Sequence, residues 1–137
     1  MDFVSTPNAP LPAGHYSQAV VHGGLVYVAG QVPKDPVTGA IENGPIEAQT
    51  RQVLANLEAI LVAAGSSLDR VLKCTVYVAD MDLWEAVNRT YAEAFGAHRP
   101  ARAIVPTKEL HHGILIEIEA VAAVGIPHPH EPKALLM

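Results

Sequence analysis

Two glutamates, Glu117 and Glu119, interrupt the most apolar segment of the chain, residues 114–124. Residues two apart on a strand point to the same face, with Cα atoms about 7 Å apart. Because an unpaired buried carboxylate is costly, this face must meet water, a cation or a partner subunit. A solvated sheet face would explain one glutamate. For two on so apolar a strand, an enclosed polar site or interface is an equally good interpretation.

Arg102 is the natural counter-charge, on a short strand between Pro100 and Pro106. Its planar guanidinium can bind a carboxylate through two parallel hydrogen bonds. Spacing alone favours a structural salt bridge to a glutamate. Asn88 falls on the apolar stripe of the predicted second helix and needs a polar partner. Such an amide more often pins a neighbouring loop than touches a ligand.

The seven histidines and the single cysteine indicate neither a metal site nor a disulfide. The clusters His111-His112 and His128-Pro129-His130 lack a carboxylate or cysteine at ligand spacing, and adjacent histidines on a strand point oppositely. We therefore expect loop histidines and no metal. Cys74 lies on the apolar face of a predicted strand, which predicts core packing and suits a reducing compartment. No P-loop, dinucleotide fingerprint or nucleophile elbow is present.

Composition favours a cytoplasmic oligomer. A chain of 137 residues that is 50% hydrophobic is too apolar to bury everything alone, so part of its surface should lie in a subunit interface. The net charge of −5, from 9 basic and 14 acidic residues without a basic cluster, argues against nucleic acid as a partner. We expect no signal peptide and no membrane span, because the start lacks a basic n-region and the apolar runs are short.

The predicted elements begin with a proline-rich arm over residues 5–14. Two strand-like runs, 18–22 and 25–28, flank Gly23-Gly24, a strong hairpin signal. The first helix should start with Pro45 at its first position and stop at Gly65.

A half-covered strand should follow over residues 71–78, with alternate residues on its apolar face: Leu72, Cys74, Val76 and Val78. The second helix should open with Asp82 and Glu85 at capping-box spacing and close at Gly96. Its stripe comprises Trp84, Val87, Tyr91 and Phe95. Strands over 101–105 and 114–124 complete an α+β fold with a mixed sheet and two helices on one face. We expect one domain over 1–137, with a loose tail over 126–137.

The motifs together resemble the RidA (YjgF/YER057c) family of imine deaminases, from about Ala9 to Val124. No single motif decides this, but eight occur in the right order. They are Gly14-His15-Tyr16-Ser17-Gln18-Ala19-Val20, Gly30-Gln31-Val32-Pro33, Ala48-Gln49-Thr50-Arg51-Gln52, Ala64-Gly65-Ser66-Ser67-Leu68, Thr75-Val76-Tyr77-Val78-Ala79-Asp80-Met81, Val87-Asn88-Arg89-Thr90-Tyr91, Pro100-Ala101-Arg102 and Ile116-Glu117-Ile118-Glu119-Ala120-Val121-Ala122.

The resemblance implies a chorismate-mutase-like fold and a homotrimer, with a central β-barrel, outer helices and active sites in the clefts between subunits. It implies that Arg102 binds the carboxylate of a small 2-imino or enamino acid, and that Glu117 orients the attacking water. It further implies that Tyr16 closes the pocket and that Asn88 supports it. No cofactor is implied. The remaining substrate-binding positions by this resemblance are Ala29, Gly30 and Ile104.

Four departures from the family pattern put the substrate range in question. Ala29 stands where members that hydrolyse imines usually carry serine, and Ile104 replaces a frequent cysteine. His15 stands where proline is common, and Leu110-His111-His112-Gly113 replaces a usual Leu-Pro-x-x loop.

Four functions therefore remain open. The first is hydrolysis of 2-aminoacrylate-type intermediates to 2-keto acids and ammonia. The second is a dedicated catabolic deaminase with a 2-aminomuconate-like substrate, and the third is a non-catalytic module that binds small carboxylates. The fourth, endoribonuclease or translation-inhibitor activity, fits the acidic charge poorly.

Overall fold

Segments that alternate apolar and polar residues, or that are rich in β-branched residues, form a six-stranded sheet in the computed structural model, which describes residues 1–125. The order across the sheet is β1-β2-β3-β6-β4-β5; β4 and β5 run parallel and the other neighbours antiparallel. The strands are β1 (Asp2–Val4), β2 (Ala19–His22), β3 (Leu25–Gln31), β4 (Val71–Val78), β5 (Ala101–Pro106) and β6 (Ile116–Ala123), and the helices are α1 (Ile46–Ala63) and α2 (Trp84–Phe95). The predicted α+β fold is confirmed. The predicted tail, with His128-Pro129-His130, lies outside the described residues.

The core lies between the helices and one face of the sheet. Along β6 every second residue is buried, beginning with Ile116 and Ile118, and α1 presents Val53, Leu57 and Ile60 to that layer. Each such side chain contributes about 1.5–3 kcal/mol when fully buried. The residues between them on β6, among them Glu117 and Glu119, point to the opposite face, which we call the open face.

The predicted hairpin at Gly23-Gly24 is confirmed. Both residues have left-handed backbone angles (φ 59° and 79°), which glycine adopts without steric cost and which match the twist of the flanking strands. The turn joins β2 to β3 and so aligns β3 beside β6.

Several element details differ from the prediction. β1 was not predicted; it pairs with β2 at the edge of the sheet. Leu72 is 49% exposed, because the β4–β6 register shifts between Val71 and Lys73 and turns Val71 inward instead. Pro45 is the cap that precedes α1, and its backbone is extended.

The predicted capping box is also wrong. Asp82 lies in a short 3₁₀ turn ahead of α2, and its backbone N–H donates to the Asp80 carboxylate at 2.8 Å. The cap therefore sits two residues earlier than the predicted one, because a 3₁₀ turn precedes the helix.

Three buried amide side chains hold loops against the sheet and the first helix. Gln18 donates to the carbonyls of Thr6 and Pro10, both at 3.0 Å, and so ties down the N-terminal arm. Asn56 of α1 donates to the carbonyls of Val32 and Lys34, at 3.0 and 2.9 Å. Gln49 accepts from the Leu115 N–H at 2.9 Å, at the entry to β6. In the described part of the chain, no helix has the length and apolar character needed to cross a bilayer.

Candidate functional site

Glu117 lies in a cleft of about 340 Å³ at the end of the open face. Tyr16 stands at its rim with the arm residues Pro10, Leu11 and Ala13, and Ile114 lines it from just before β6. We call this the Glu117 cleft. Its other lining residues are Ala29, Gly30, Val32, Lys34, Ile41, His111 and His112. The structure thus brings together four of the predicted site residues, namely Glu117, Tyr16, Ala29 and Gly30.

An irregularity in β3 makes room for the Glu117 carboxylate. The register with β6 shifts between Val28 and Gln31, and Ala29 and Gly30 occupy the bulge. A Cβ at Gly30 would overlap the carboxylate oxygen of Glu117 and stand 3.0 Å from its Cδ. Glycine lets the Glu117 carboxylate approach this closely, and any other residue here would push the flexible end of the Glu117 side chain aside.

The two glutamates, which share a strand face, have different surroundings. Glu119 accepts a hydrogen bond from the Tyr77 hydroxyl at 2.8 Å. Burial raises the pKa of Glu117, the negative charge of Glu119 raises it further, and His111 partly offsets both. Glu117 lines the cleft, and no donor of residues 1–125 forms a hydrogen bond with its carboxylate.

Arg102 lies in a different pocket, of about 480 Å³, between α2 and β5. Its guanidinium carbon stands 4.8 Å from the ring centroid of Tyr91 and 5.8 Å from that of Trp84, within cation–π range. Asn88, His98 and Arg99 also line this Arg102 pocket, with Ala92, Phe95, Gly96 and Pro100.

The expected salt bridge of Arg102 is wrong for the single chain. The ion pair within residues 1–125 joins Arg89 to Glu47, at 3.9 Å on the surface. Arg102 stacks on aromatic rings instead, which leaves its hydrogen-bonding edge available to a carboxylate. Asn88 lines the same pocket, and the amides that hold loops belong to Gln18, Gln49 and Asn56.

The register of the sheet explains why Arg102 and Glu117 are apart. Arg102 lies opposite Cys74, which is fully buried in the core layer, so Arg102 points to the helix side. Glu117 lies opposite Tyr77 and points to the open face. Ile104 follows Arg102 on the helix side and packs against the core. Within one chain, the acid and the arginine therefore belong to separate pockets on opposite faces.

The platform beneath Arg102 is neutral. The Tyr91 hydroxyl is buried against Cys74, and burial raises the pKa of both groups. Cys74 itself is fully buried, as expected for core packing. The positive charge of Arg102 therefore meets a neutral aromatic face, and no anion beneath it competes for the guanidinium.

Sequence reasoning missed the arrangement of His111 and His112. They lie in a loop, as expected, but their rings stack at 3.8 Å with an interplanar angle of 18° and line the Glu117 cleft together. His112 has a left-handed backbone (φ 61°). The departure from the Leu-Pro-x-x loop was the available signal. Within residues 1–125, no three potential metal ligands converge.

Residues 6–124 match the family model described as endoribonuclease L-PSP. The chain belongs to this family, which is the RidA/YjgF/RutC family of the resemblance. A RutC family protein of Pyrococcus horikoshii is 51% identical over 88% of this chain and 96% of its own length. The 2-iminobutanoate/2-iminopropanoate deaminase of Salmonella typhimurium is 42% identical over 87% of this chain and 94% of its own.

Solved structures share the fold. A protein of Thermotoga maritima superimposes with a TM-score of 0.88 at 48% identity, covering 92% of this chain and 99% of that one. TdcF of E. coli, solved with bound serine, superimposes with a TM-score of 0.87 at 34% identity, covering 91% of this chain and all of that one.

Proposed function

We propose that this chain hydrolyses small 2-imino and enamino acids of the 2-aminoacrylate type to 2-keto acids and ammonia, at sites formed between subunits of a homotrimer. One observation carries the proposal: the carboxylate and the arginine lie in separate pockets on opposite faces of one sheet. A small substrate cannot reach both in one chain. Two adjacent copies can supply Glu117 from one and Arg102 from the other.

The chemistry needs positioning and proton transfer. Arg102 holds the substrate carboxylate through its guanidinium fork, and Tyr16 covers the cleft from its rim. The imine carbon is electrophilic, so a water held by Glu117 adds to it while the carboxylate accepts the water proton. Glu117 then passes that proton to the nitrogen. In the resulting carbinolamine, Glu117 takes the hydroxyl proton and delivers it to the amino nitrogen, so the C–N bond breaks, ammonia leaves and the C=O bond of the keto acid forms. An enamine first takes a proton at its β-carbon and loses one from its nitrogen to become the imine.

The surroundings of Glu117 suit this role better than those of Glu119. A raised pKa moves Glu117 toward the pH at which a general base can both take and return a proton. Glu119 is already engaged by the Tyr77 hydroxyl. The bulge at Gly30 keeps the Glu117 carboxylate at the cleft floor, where it can hold a water.

Two relatives support the substrate class. The Salmonella relative is named for 2-iminobutanoate and 2-iminopropanoate, small 2-imino acids. TdcF binds serine, which has the same carboxylate and nitrogen-bearing carbon. The non-catalytic alternative would bind such acids without turnover. Location in the cytoplasm stays a prediction from cysteine use.

The homotrimer would cover the open face. This face carries Tyr27 at 49% exposure and Val105 at 36%, beside the half-buried glutamates. In a barrel of three sheets these residues would turn inward, which agrees with the apolar excess of the sequence. Sedimentation equilibrium at micromolar concentration should give three times the 14.5 kDa of the chain. A clean monomer would exclude the shared site.

Complementation tests the shared site directly. Glu117→Gln and Arg102→Ala should each lower the rate of hydrolysis of freshly generated 2-iminopropanoate about 10²-fold or more. Co-refolding the two variants in equal amounts should restore about a quarter of the wild-type activity, because that fraction of sites pairs an intact Arg102 with an intact Glu117. A mixture as inactive as either variant, despite proven subunit exchange, would show that both residues act from the same chain.

A further inference from the structure

The Glu117 cleft carries a local excess of basic groups. Lys34, His111 and His112 line it, against the single acid Glu117. With histidines counted in the same way, the whole chain has 9 lysines and arginines and 7 histidines against 14 acidic residues, so the excess of basic groups in the cleft is local. None of the three basic side chains forms an ion pair with another residue of 1–125. Hydrolysis by Glu117 and Arg102 alone makes no use of them.

The fold anchors the backbone near these three residues. Asn56 binds the carbonyl oxygen of Lys34 at 2.9 Å, and Gln49 binds the Leu115 N–H at 2.9 Å, just after the histidine loop. The rings of His111 and His112 stack at 3.8 Å.

The backbone of the histidine loop adds a second observation. His112 has φ 61°, a conformation that residues other than glycine rarely adopt, although histidine does so more often than most. Such outliers cluster at ligand sites, where the surrounding structure holds them. Here the left-handed backbone of His112 places its imidazole on the ring of His111, and both line the cleft.

We propose that Lys34, His111 and His112 bind a second carboxylate of the substrate, so that the preferred substrates are short dicarboxylic 2-imino acids. The inference rests on the proposed function, in which Arg102 of a neighbouring copy holds the first carboxylate. Lysine is a cationic donor, and an imidazole has at least one N–H donor in either protonation state. Ala29, which also lines the cleft, presents only a methyl group there.

The test compares 2-iminoglutarate with 2-iminobutanoate, each generated in the assay from its amino acid by an oxidase. The wild-type protein should have the higher kcat/KM on the dicarboxylic imine. Lys34→Met and His112→Gly should each lower the ratio of the two kcat/KM values about 10-fold or more, the usual worth of a hydrogen bond to a charged group. Glycine suits the backbone of residue 112, so His112→Gly should not unfold the loop.

Lys108→Met is the matched control, because Lys108 is exposed and does not line the cleft. It should keep the wild-type ratio. Equal wild-type rates on both imines, or a ratio unchanged in Lys34→Met and His112→Gly, would overturn the second-carboxylate site while leaving imine hydrolysis intact.

Calorimetry with 2-oxoglutarate and 2-oxobutanoate separates this inference from the proposed function. If neither imine is hydrolysed, yet 2-oxoglutarate binds more tightly than 2-oxobutanoate and loses that advantage in the two variants, the hydrolytic function fails and the carboxylate site stands. If both keto acids bind equally, the site fails whatever the turnover.

Discussion

The Glu117 cleft and the Arg102 pocket are built by different means. The cleft lies on the open face and depends on backbone devices: a bulge, a glycine without a side chain and two loops held by amides. The Arg102 pocket lies on the helix side and depends on aromatic rings of α2. One holds an acid without a donor, the other a cation without an acid. A shared site between copies would bring the acid of the cleft to the guanidinium of the pocket.

The largest effect should come from the acid of the Glu117 cleft. Glu117→Gln keeps the size of the side chain but removes the proton acceptor, so kcat for 2-iminopropanoate should fall about 10²-fold or more. Glu119→Gln is the matched control on the same strand face and should keep most of the turnover. An active Glu117→Gln beside an inactive, correctly assembled Glu119→Gln would reverse the assignment of the two glutamates.

A smaller loss should come from changing the cation of the Arg102 pocket. Arg102→Lys keeps the charge but loses the two-pronged geometry and the stacking, so kcat/KM should fall about 10- to 100-fold. Tyr91→Phe preserves the ring and should be close to wild type, whereas Tyr91→Leu removes the platform and should raise KM. Steady-state kinetics of all three would show whether the fork or the charge matters.

The sequence predicted more of the Glu117 cleft than of the Arg102 pocket. The alternation along β6 located Glu117 and Glu119 on one face, because a strand has a period of two. The alternation could not show that the two glutamates have different surroundings, because the hydrogen bond to Glu119 comes from the Tyr77 hydroxyl, on a strand about 40 residues away in the chain. Arg102 was predicted to form a salt bridge because spacing carries no information about which side of the sheet an edge-strand residue faces.

Other misses share this physical cause. Helix and strand periodicity predicted the main elements, yet Leu72 was placed inside because a bulge shifts the pattern by one residue. The three-residue β1 is too short to show any period, and its pairing with β2 depends on the sheet rather than on its own sequence. The stacked histidines are likewise a product of loop geometry, which local propensity does not specify.

A moderate effect should come from the floor of the Glu117 cleft. Gly30→Ala adds a Cβ where the Glu117 carboxylate lies, so the carboxylate must swing away while the backbone stays. Misplacement of a catalytic group by about 1 Å can cost up to 10²-fold, and the flexible end of the side chain should limit the loss to about 10-fold in kcat. Thermal melts should be close to wild type. A variant with unchanged kcat would show that the position of this carboxylate is not set by Gly30.

The smallest effect should be on stability, and it has opposite signs at the two glutamates. Burial raises the pKa of Glu117, so the fold favours the protonated carboxyl group. The stabilisation from this group is fully present below the pKa of the unfolded chain, near 4.5, and is lost as the pH rises through the pKa of the folded chain. At pH 7.5 the ionised group therefore carries a cost, which Glu117→Gln removes. The gain should be below about 1 kcal/mol, since solvent screens a half-exposed group. Tyr77→Phe instead removes the donor to Glu119 and should cost about 0.5–1.5 kcal/mol. Melts at pH 4 and pH 7.5, at one protein concentration, should show Glu117→Gln gaining on wild type only at the higher pH. A gain of equal size at both values would mean that the carboxylate charge is not the source of the cost.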